Sequence, residues 1–388
     1  MAKIVIKDNK EFIRTLKLMA GFYQKSTLKA GVLTITVVSP TEVKLNVAND
    51  SLCAEASFLA QVVDATHPEY TFLPDTLFQT KWPGGDLHLS WDSPTAPLEI
   101  KDTWLKTKLK VSTSKSDFPS LGAPDQHFAL PHAFLKTLVT YLDMPYVYLK
   151  NKPDIVSVWL RTDADLRLHV FADDGGFAMA KMETEIVAPF AIDEVLPFYA
   201  LQDLYSNAHA ETQCTFGTKD YSLFLTAESK TLRVQSMSDA HFDLDEIFGG
   251  LKTWEASCNF SPMILHTQIQ TICNFVPSKD LPGSTVKVAF DASDMAKLDL
   301  SLVHRDIGEI DAKLSGVSDF WTYNGVSRYV FDLHPPALLG FSSLVKESKQ
   351  MCKMMVNHEA VYFHTDVPTT FGKVSIRYLF PTVGSNNN

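Results

Sequence analysis

One order of predicted elements recurs three times along the chain and constrains its fold more than any other feature. Each round runs through a strand, a helix, several β-rich segments, a second helix and further strands. The first helices of the three rounds are predicted over 9–24, 131–142 and 262–275. Because 388 residues exceed the size of one core, the recurrence predicts three domains of about 125 residues each. Their predicted bounds are 1–123, 124–250 and 251–388.

The first predicted helix is amphipathic and basic. Its apolar residues recur at i, i+4 and i+7 and predict one buried stripe, formed by Phe12, Leu16 and Met19. Basic residues recur at the same spacing on another face, at Lys10, Arg14 and Lys17. Residues 9–29 carry five basic side chains and one acidic one, a local charge of +4 on a chain with a net charge of −10. Charge alone leaves two interpretations open, a solvated outer face and a surface for phosphates.

Composition narrows the class of protein. A hydrophobic content of 45% with 21% charged residues is typical of a globular chain. No segment approaches the roughly 18 apolar residues of a membrane span, and the N-terminus lacks the apolar run of a secretory signal. We therefore expect a cytoplasmic protein with no membrane partner. The five cysteines are scattered without paired spacing, which predicts reduced thiols, no metal site and no cofactor.

Short catalytic motifs are absent or incomplete. The sequence holds no phosphate-binding loop, no GxSxG and no GxGxxG. His358-Glu359 lacks the second histidine of a zinc-protease helix, and residues 173–176 lack the later ligands of a calcium loop. We therefore predict no catalytic residue and no enzyme activity. A metal-dependent hydrolase with an unrecognised site remains an alternative.

Four segments carry a resemblance to a known family. They are Leu-Lys-Val-Ser-Thr-Ser-Lys-Ser-Asp-Phe-Pro-Ser-Leu at 109–121, His-Phe-Ala-Leu-Pro-His-Ala-Phe-Leu-Lys-Thr-Leu-Val at 127–139, His-Val-Phe-Ala-Asp-Asp-Gly-Gly-Phe-Ala-Met-Ala at 169–180 and Arg-Tyr-Leu-Phe-Pro-Thr-Val at 377–383. In this order and spacing the chain resembles the bacterial-type β sliding clamp, the processivity ring of replicative DNA polymerases. The divergence is large, as in a phage or virus version of the family.

The resemblance implies an α+β fold of three pseudo-repeated clamp domains, with helices lining a central hole and antiparallel sheets outside. Two protomers would join head to tail around double-stranded DNA and hold it without reading its sequence. The implied DNA-binding residues are Lys10, Arg14, Lys17, Lys25, Lys29, Lys136, Lys346, Lys349 and Lys353, with His132 beside them. The helix at 262–275 departs from this pattern because it has no Lys or Arg.

The resemblance also implies a groove that binds short peptides of DNA polymerase and of the clamp loader. Carried over position by position, its residues are Ile155, Gly175, Phe177, Ala178, Ile247, Phe248, Tyr362, Tyr378, Leu379, Phe380 and Pro381, with Thr382 at its flank. Gly176-Phe177 stands where the family has His-Arg, and Asp243 stands where it has Pro. We therefore expect an altered peptide preference. The alternative is that Phe248, Leu379 and Phe380 are ordinary core residues.

Ring closure would pair an edge strand of the first domain with one of the third. The predicted donor runs from 105 to 111 and presents Leu105, Thr107, Leu109 and Val111. Its partner is expected near 297–303, with Ile272 and Cys273 supplying apolar contact. The competing hypothesis is a polymerase accessory or scaffold protein that never encircles DNA.

Overall fold

The structure is a computed structural model of the chain. The residues it describes are 1–7, 9–25, 31–48, 52–72, 85–104, 106–109, 121–148, 157–173, 178–207, 213–220, 222–227, 230–236, 244–250 and 253–383. Strands outnumber helices throughout this part of the chain, in agreement with an α+β fold.

The described residues form six α-helices: α1 Lys10–Lys25, α2 His132–Tyr148, α3 Phe198–Asn207, α4 Leu244–Gly250, α5 Pro262–Cys273 and α6 Pro335–Val345. The strands of the first third are β1 Ala2–Ile6, β2 Val32–Ser39, β3 Glu42–Ala48, β4 Leu52–Leu59, β5 Gln61–Ala65, β6 Glu69–Phe72, β7 Leu87–Trp91, β8 Leu98–Lys101 and β9 Lys106–Leu109. Those of the middle third are β10 Gln126–Leu130, β11 Ser157–Thr162, β12 Arg167–Asp173, β13 Met179–Val187, β14 Asp193–Pro197, β15 Cys214–Lys219, β16 Ser222–Ala227 and β17 Lys230–Gln235. Those of the last third are β18 Ala256–Phe260, β19 Thr285–Asp291, β20 Lys297–His304, β21 Gly308–Ser315, β22 Ser318–Thr322, β23 Arg328–Leu333, β24 Cys352–Val356, β25 Ala360–Thr369 and β26 Gly372–Pro381.

The chain divides into two compact units. The first unit consists of Met1–Leu135 and Leu196–Ser238, and the second consists of Lys136–Val195 and Asp239–Asn388. The predicted middle domain, 124–250, contributes residues to both units. The division into three domains therefore stays a prediction.

The first unit contains two antiparallel sheets. One has five strands in the order β5-β1-β7-β8-β9, and the other has eight in the order β10-β15-β16-β17-β4-β3-β2-β6. Helix α1 packs on β3 and β4 of the larger sheet and on α3. Phe12, Leu16 and Met19 are buried, which confirms the predicted stripe. The stripe is buried because its 3.6-residue period matches one face of the helix.

The larger sheet of the first unit runs through the predicted bound at residues 123 and 124. Strands β17 and β4 pair from Lys230↔Ala56 to Val234↔Leu52. The side chain of Lys230 is buried, and its Nζ lies 3.5 Å from Oε1 of Glu11 on α1. A buried ammonium group needs such a counter-charge, so this ion pair ties the first helix to β17.

The second unit also contains two sheets, of nine strands in the order β14-β11-β12-β13-β26-β25-β24-β18-β22 and of four in the order β21-β20-β19-β23. Helices α5 and α6 pack together, and Phe341 of α6 stacks on Phe363 of β25 with 4.2 Å between ring centroids. We call this the helix-covered face of the nine-stranded sheet, and the opposite one its outer face. The hydroxyl of Tyr378 also lies on the helix-covered face, where it donates a hydrogen bond to the carbonyl of Tyr141 on α2 over 2.9 Å.

Helix length sets one further limit. Within the part of the chain that the structure describes, no helix is long and apolar enough to cross a membrane.

Candidate functional site

Helix α1 exposes the basic residues opposite its buried stripe. Lys10 and Lys17 are exposed, and Arg14 is half-buried with its Nη1 3.6 Å from Oε2 of Glu11. Because Glu11 also reaches Lys230, its carboxylate lies between two cations and neutralises only part of their charge. The backbone of Lys25 ends the helix, whereas Lys29 lies outside the described residues. The helix therefore offers a basic face of the kind that phosphate contacts need.

The second predicted group of DNA-binding residues lies at α2. Lys136 is exposed on this helix. His132 stacks on Tyr205 of α3 with 5.4 Å between ring centroids, and its Nε2 is buried. His132 is therefore held mainly by ring packing, and Lys136 is the more accessible of the two side chains.

The third group lies at the end of α6. Lys346 caps the helix, where its charge is favourable to the helix dipole, and Lys349 is exposed after it. His266 of α5 lies near them, with its Nδ1 3.2 Å from Oγ of Ser342. Burial, and then the positive charge of Lys346, lower the pKa of His266. Helix α5 therefore presents a neutral imidazole at neutral pH.

Lys353 was expected to join Lys346 and Lys349, but the structure places it elsewhere. Its neighbour on β24, Met354, lines an internal cleft with Leu265 of α5 and Leu338 of α6. Successive side chains of a strand point to opposite faces. Lys353 therefore projects from the outer face, away from the helices, and the grouping with the helix-end lysines is wrong.

A row of apolar side chains crosses the outer face of the nine-stranded sheet. Leu379 of β26 pairs with Met179 of β13 on one side and with Tyr362 of β25 on the other. Tyr362 pairs in turn with Met355 of β24. Residues opposite each other in antiparallel strands share a face, so these four form one line, which we call the apolar row.

Helix α4 and a tryptophan lie against the apolar row. Ile247 and Phe248 are half-buried and pack on Met179 and on the cluster around Tyr362. The ring of Tyr362 lies 6.3 Å from that of Phe248 and 5.6 Å from that of Trp254. Burial raises the pKa of Tyr362 to about 12, so its hydroxyl stays protonated. We call the apolar row together with Ile247, Phe248 and Trp254 the docking surface.

The structure brings together only part of the predicted groove. Ile247 and Phe248 are the half-buried members of the docking surface. Tyr362 and Leu379 also belong to it but are buried, as the alternative of a core residue predicts for Leu379. Ala178 is buried, Pro381 is exposed, and Ile155, Gly175 and Phe177 lie outside the described residues.

Tyr378 and Phe380 do not belong with Leu379, because alternation along β26 turns them to the helix-covered face. Both pack there against Phe341, with ring centroids 5.0 Å and 6.1 Å away. Sequence reasoning missed Met179, Met355 and Trp254.

A second row follows the apolar row one step along the same strands. Lys181 of β13 pairs with Arg377, Arg377 with His364, and His364 with Lys353. We call these four side chains the cationic row. Glu183 is the carboxylate next to them, with Oε1 2.9 Å from Nζ of Lys181 and Oε2 2.7 Å from Nη2 of Arg377.

The charges of the cationic row are only partly balanced. Lys353 is exposed, and none of the ion pairs of the described residues includes it. Burial lowers the pKa of His364, and the nearby Arg377 lowers it further while Asp366 opposes the shift. With His364 neutral, the row carries three cations, of which two contact Glu183, while Asp366 contacts His364. The row therefore keeps a surplus of positive charge on an acidic chain.

Two sheet edges bear on the predicted subunit contact. Strand β9 ends its five-stranded sheet, as expected of an edge strand, and its exposed Lys106 and Lys108 approach Glu99 of β8. The expected partner, β20, is paired on both sides, so the edge is β21.

Thr107 is half-buried, whereas Leu105 and Val111 lie outside the described residues. Leu109, Ile272 and Cys273 are buried inside their own units, which corrects their assignment to an accessible contact surface.

A metal centre has no support in the described parts of the chain. There, no three His, Cys, Asp or Glu side chains are grouped so that they could hold a metal ion.

The fold matches a known class, the sliding clamp, over nearly the whole chain. Its known members include a sliding clamp (DNA polymerase III subunit beta) from Bartonella birtlesii bound to griselimycin, with a TM-score of 0.77, 15% identity and coverage of 98% of this chain and 99% of that chain. A putative DNA polymerase III beta subunit from Eubacterium rectale has a TM-score of 0.76 and 12% identity, with coverage of 99% of this chain and 99% of that chain. The beta subunit from DNA polymerase of Streptococcus pyogenes has a TM-score of 0.74 and 12% identity, with coverage of 98% of this chain and 100% of that chain.

The likeness is one of structure. No family model and no curated protein matches the sequence. The chain therefore has the sliding-clamp fold over nearly its whole length, at sequence identities of 10–15%.

Proposed function

We propose that the chain is a DNA sliding clamp, a subunit of a ring that encircles duplex DNA and tethers a replicative DNA polymerase. The observation that carries the proposal is the correspondence of fold over 98–99% of the chain with bacterial DNA polymerase III beta subunits. In this role the protein is a non-catalytic scaffold. We place it in the cytoplasm. Its origin in a phage stays a prediction from the divergence of the sequence.

The basic face of α1 supports the DNA contact. Duplex DNA is a dense line of phosphates, and each lysine placed near it releases bound counterions. Lys10 and Lys17 are exposed for such contacts, with Lys136 and Lys349 as candidates on the other helices. Contacts to phosphates carry no base information, so a protein held by them alone can slide.

The docking surface supports the tether. Half-buried Ile247, Phe248 and Met355 lie around Tyr362, which is the composition of a site for one or two apolar anchors of a short peptide. DNA polymerase and clamp loader would bring such peptides. Because the sequence has no phosphate-binding loop, opening the ring requires a separate ATPase.

Two copies would close the ring through the free edges of β9 and β21. The exposed charges of β9 are Lys106 and Lys108, and those of β21 include Glu309 and Asp311. Opposite charges on paired edges favour this pairing over that of β9 with itself.

Topological retention on DNA tests the proposal without a loader. A duplex tethered at one end to a bead is incubated with the protein, so that rings can thread over the free end. The free end is then blocked with a bulky antibody, and the beads are washed at about 1 M salt, where phosphate contacts are screened. We expect retained protein that is released when a restriction enzyme cuts the duplex.

Two outcomes contradict the proposal. Equal loss of protein from blocked and unblocked duplexes identifies a binder that does not encircle DNA, the accessory protein of the competing hypothesis. Stoichiometric zinc, manganese or iron in the purified protein together with phosphoesterase activity favours the metal-dependent hydrolase.

A further inference from the structure

We propose that the cationic row selects partner peptides that carry an acidic side chain next to their apolar anchors. The inference rests on the proposed function, because it assumes that partners bind at the docking surface. It goes further in naming the chemistry of the partner and in assigning Lys353 to peptide recognition.

The first step is the register of the sheet. Leu379 and Arg377 are two residues apart on β26, as are Tyr362 and His364 on β25 and Met355 and Lys353 on β24. Residues two apart in a strand share a face and lie about 6.8 Å from each other. The cationic row therefore runs alongside the apolar row at the distance that two residues of an extended peptide span.

The second step is the charge. Glu183 accepts contacts from both Lys181 and Arg377, so one carboxylate serves two cations. The Nε of Arg377 is buried and has no hydrogen-bond partner among the described residues. Lys353 adds a further exposed cation on β24, three strands away from Lys181 on β13. Because Lys181 is buried, a partner carboxylate placed here meets the unbalanced positive charge at Arg377 and Lys353.

The third step is the contrast with the rest of this face. Asp366, in the next row of side chains, is paired with Lys373 over 2.7 Å and contacts His364 over 3.3 Å. Charge is therefore balanced beyond the cationic row and unbalanced within it. Charged groups at the border of an apolar site fix the choice and register of the ligand, and a like charge there is repelled.

The experiment uses three fluorescein-labelled octapeptides with adjacent Leu and Phe anchors. Each of the three carries one residue, Asp, Asn or Lys, two positions before the anchors. A second set of three carries the same residues two positions after the anchors. Fluorescence anisotropy with the full-length protein at about 150 mM salt measures the dissociation constants. In one of the two sets we expect the Asp peptide to bind about fivefold tighter than the Asn peptide and the Lys peptide to bind weakest.

Two variants with the same change of charge assign the effect. Lys353→Glu replaces the exposed cation of the cationic row with an anion, and it is expected to abolish or invert the preference for Asp. Lys279→Glu makes the same change in the turn after α5, on no strand of the sheet, and is expected to leave the preference unchanged. Both residues are exposed, so neither substitution disturbs a buried group.

Equal affinities for the Asp and Asn peptides in both sets, or an unchanged preference in Lys353→Glu, overturn the inference, as does a lack of binding by all the peptides. The bead assay decides the proposed function separately. Retention on blocked duplexes with no preference for Asp keeps the clamp and rejects the inference. Preference for Asp without retention keeps the peptide chemistry and rejects the ring.

Discussion

Helix α1 and the outer face of the nine-stranded sheet both carry basic residues, but they fix them differently. On α1 the charges stand on one face of a helix, and the ion pair between Arg14 and Glu11 is long, at 3.6 Å. On the sheet, Lys181 and Arg377 share Glu183 at 2.9 Å and 2.7 Å beside a row of apolar anchors. Exposed charges on a helix face suit phosphate contacts that carry no base information, whereas charges held beside apolar side chains suit the choice of one peptide. Four experiments can break or sharpen this contrast.

The largest effect is expected from reversing two charges on α1. Each lost phosphate contact reduces the salt dependence of log K by about 0.9. The double variant Lys10→Glu, Lys17→Glu should therefore reduce that slope by about two and weaken DNA binding about 30-fold at about 150 mM salt. Salt titrations of DNA binding, followed by anisotropy of a labelled duplex, measure both quantities.

A matched control is Lys3→Glu, Lys101→Glu, which makes the same change on β1 and β8 of the first unit. We expect its affinity for DNA to stay within a factor of about two of the unchanged protein, apart from long-range screening effects. An equal loss in both double variants would show that net charge, and not the face of α1, governs binding.

The second effect concerns an anchor of the docking surface. Phe248→Ala removes a ring that is half-buried against Tyr362, and truncation of such an anchor costs about tenfold or more in affinity. Binding of the Asp octapeptide should fall by this factor while DNA binding is unchanged. Phe275→Ala is the control, because Phe275 is 61% exposed at the end of α5 and outside the docking surface. Loss of DNA binding in Phe248→Ala would contradict the separation of the two regions.

The third effect concerns the sheet edges. Lys106→Glu with Lys108→Glu places acidic residues on β9 against the acidic residues of β21. Each cross-strand charge pair is worth about 0.2–1 kcal/mol, so the dimer dissociation constant should rise about fivefold. Sedimentation equilibrium measures it. Adding Glu309→Lys and Asp311→Lys should restore the original value, and failure of this rescue would argue against contact between these edges.

The smallest effect is a dependence of stability on pH. Burial lowers the pKa of His364 below its ordinary value, so the folded protein holds this imidazole neutral. Below the ordinary pKa of about 6.5 the unfolded chain binds a proton that the folded chain does not, and stability falls. Denaturant titrations between about pH 7.5 and 5.5 should therefore show decreasing stability, with a shallower decrease in His364→Gln. An identical decrease in His364→Gln and in the control His127→Gln would assign the effect to other groups.

Periodicity predicted helices α1, α2 and α5, but it missed α4 and did not give the direction of side chains in the central strands. The spacing of Phe12, Leu16 and Met19 predicts a buried helix face, because only one face of α1 is covered. The segment Tyr378-Leu379-Phe380 is apolar throughout, because helices cover one side of β26 and the docking surface forms the other. A continuous apolar run of this kind does not reveal which residue faces which side.

Sheet edges posed a related difficulty. Strands β20 and β21 both alternate between apolar and polar residues, so neither sequence shows which of them is paired on both sides. Only the pairing of Leu300 with Ala312 and of Val288 with Leu300 places β20 inside its sheet. Lys353 was misplaced for a comparable reason, because its nearness in sequence to Lys349 says nothing of the strand that begins between them.

The pairing of β17 with β4 has a consequence for attempts to cut the protein into pieces. Five residue pairs join these strands across the predicted bound at residue 123, from Lys230↔Ala56 to Val234↔Leu52. A fragment that stopped at this bound would leave β4 as an unpaired edge strand, because β17 would be missing. Glu11 would also lose its ion pair with Lys230. Exposed edges of this length recruit other chains, so such a fragment would aggregate. The strands on either side of this bound therefore protect each other's edges, and insertions or tags belong in surface turns rather than near residue 123.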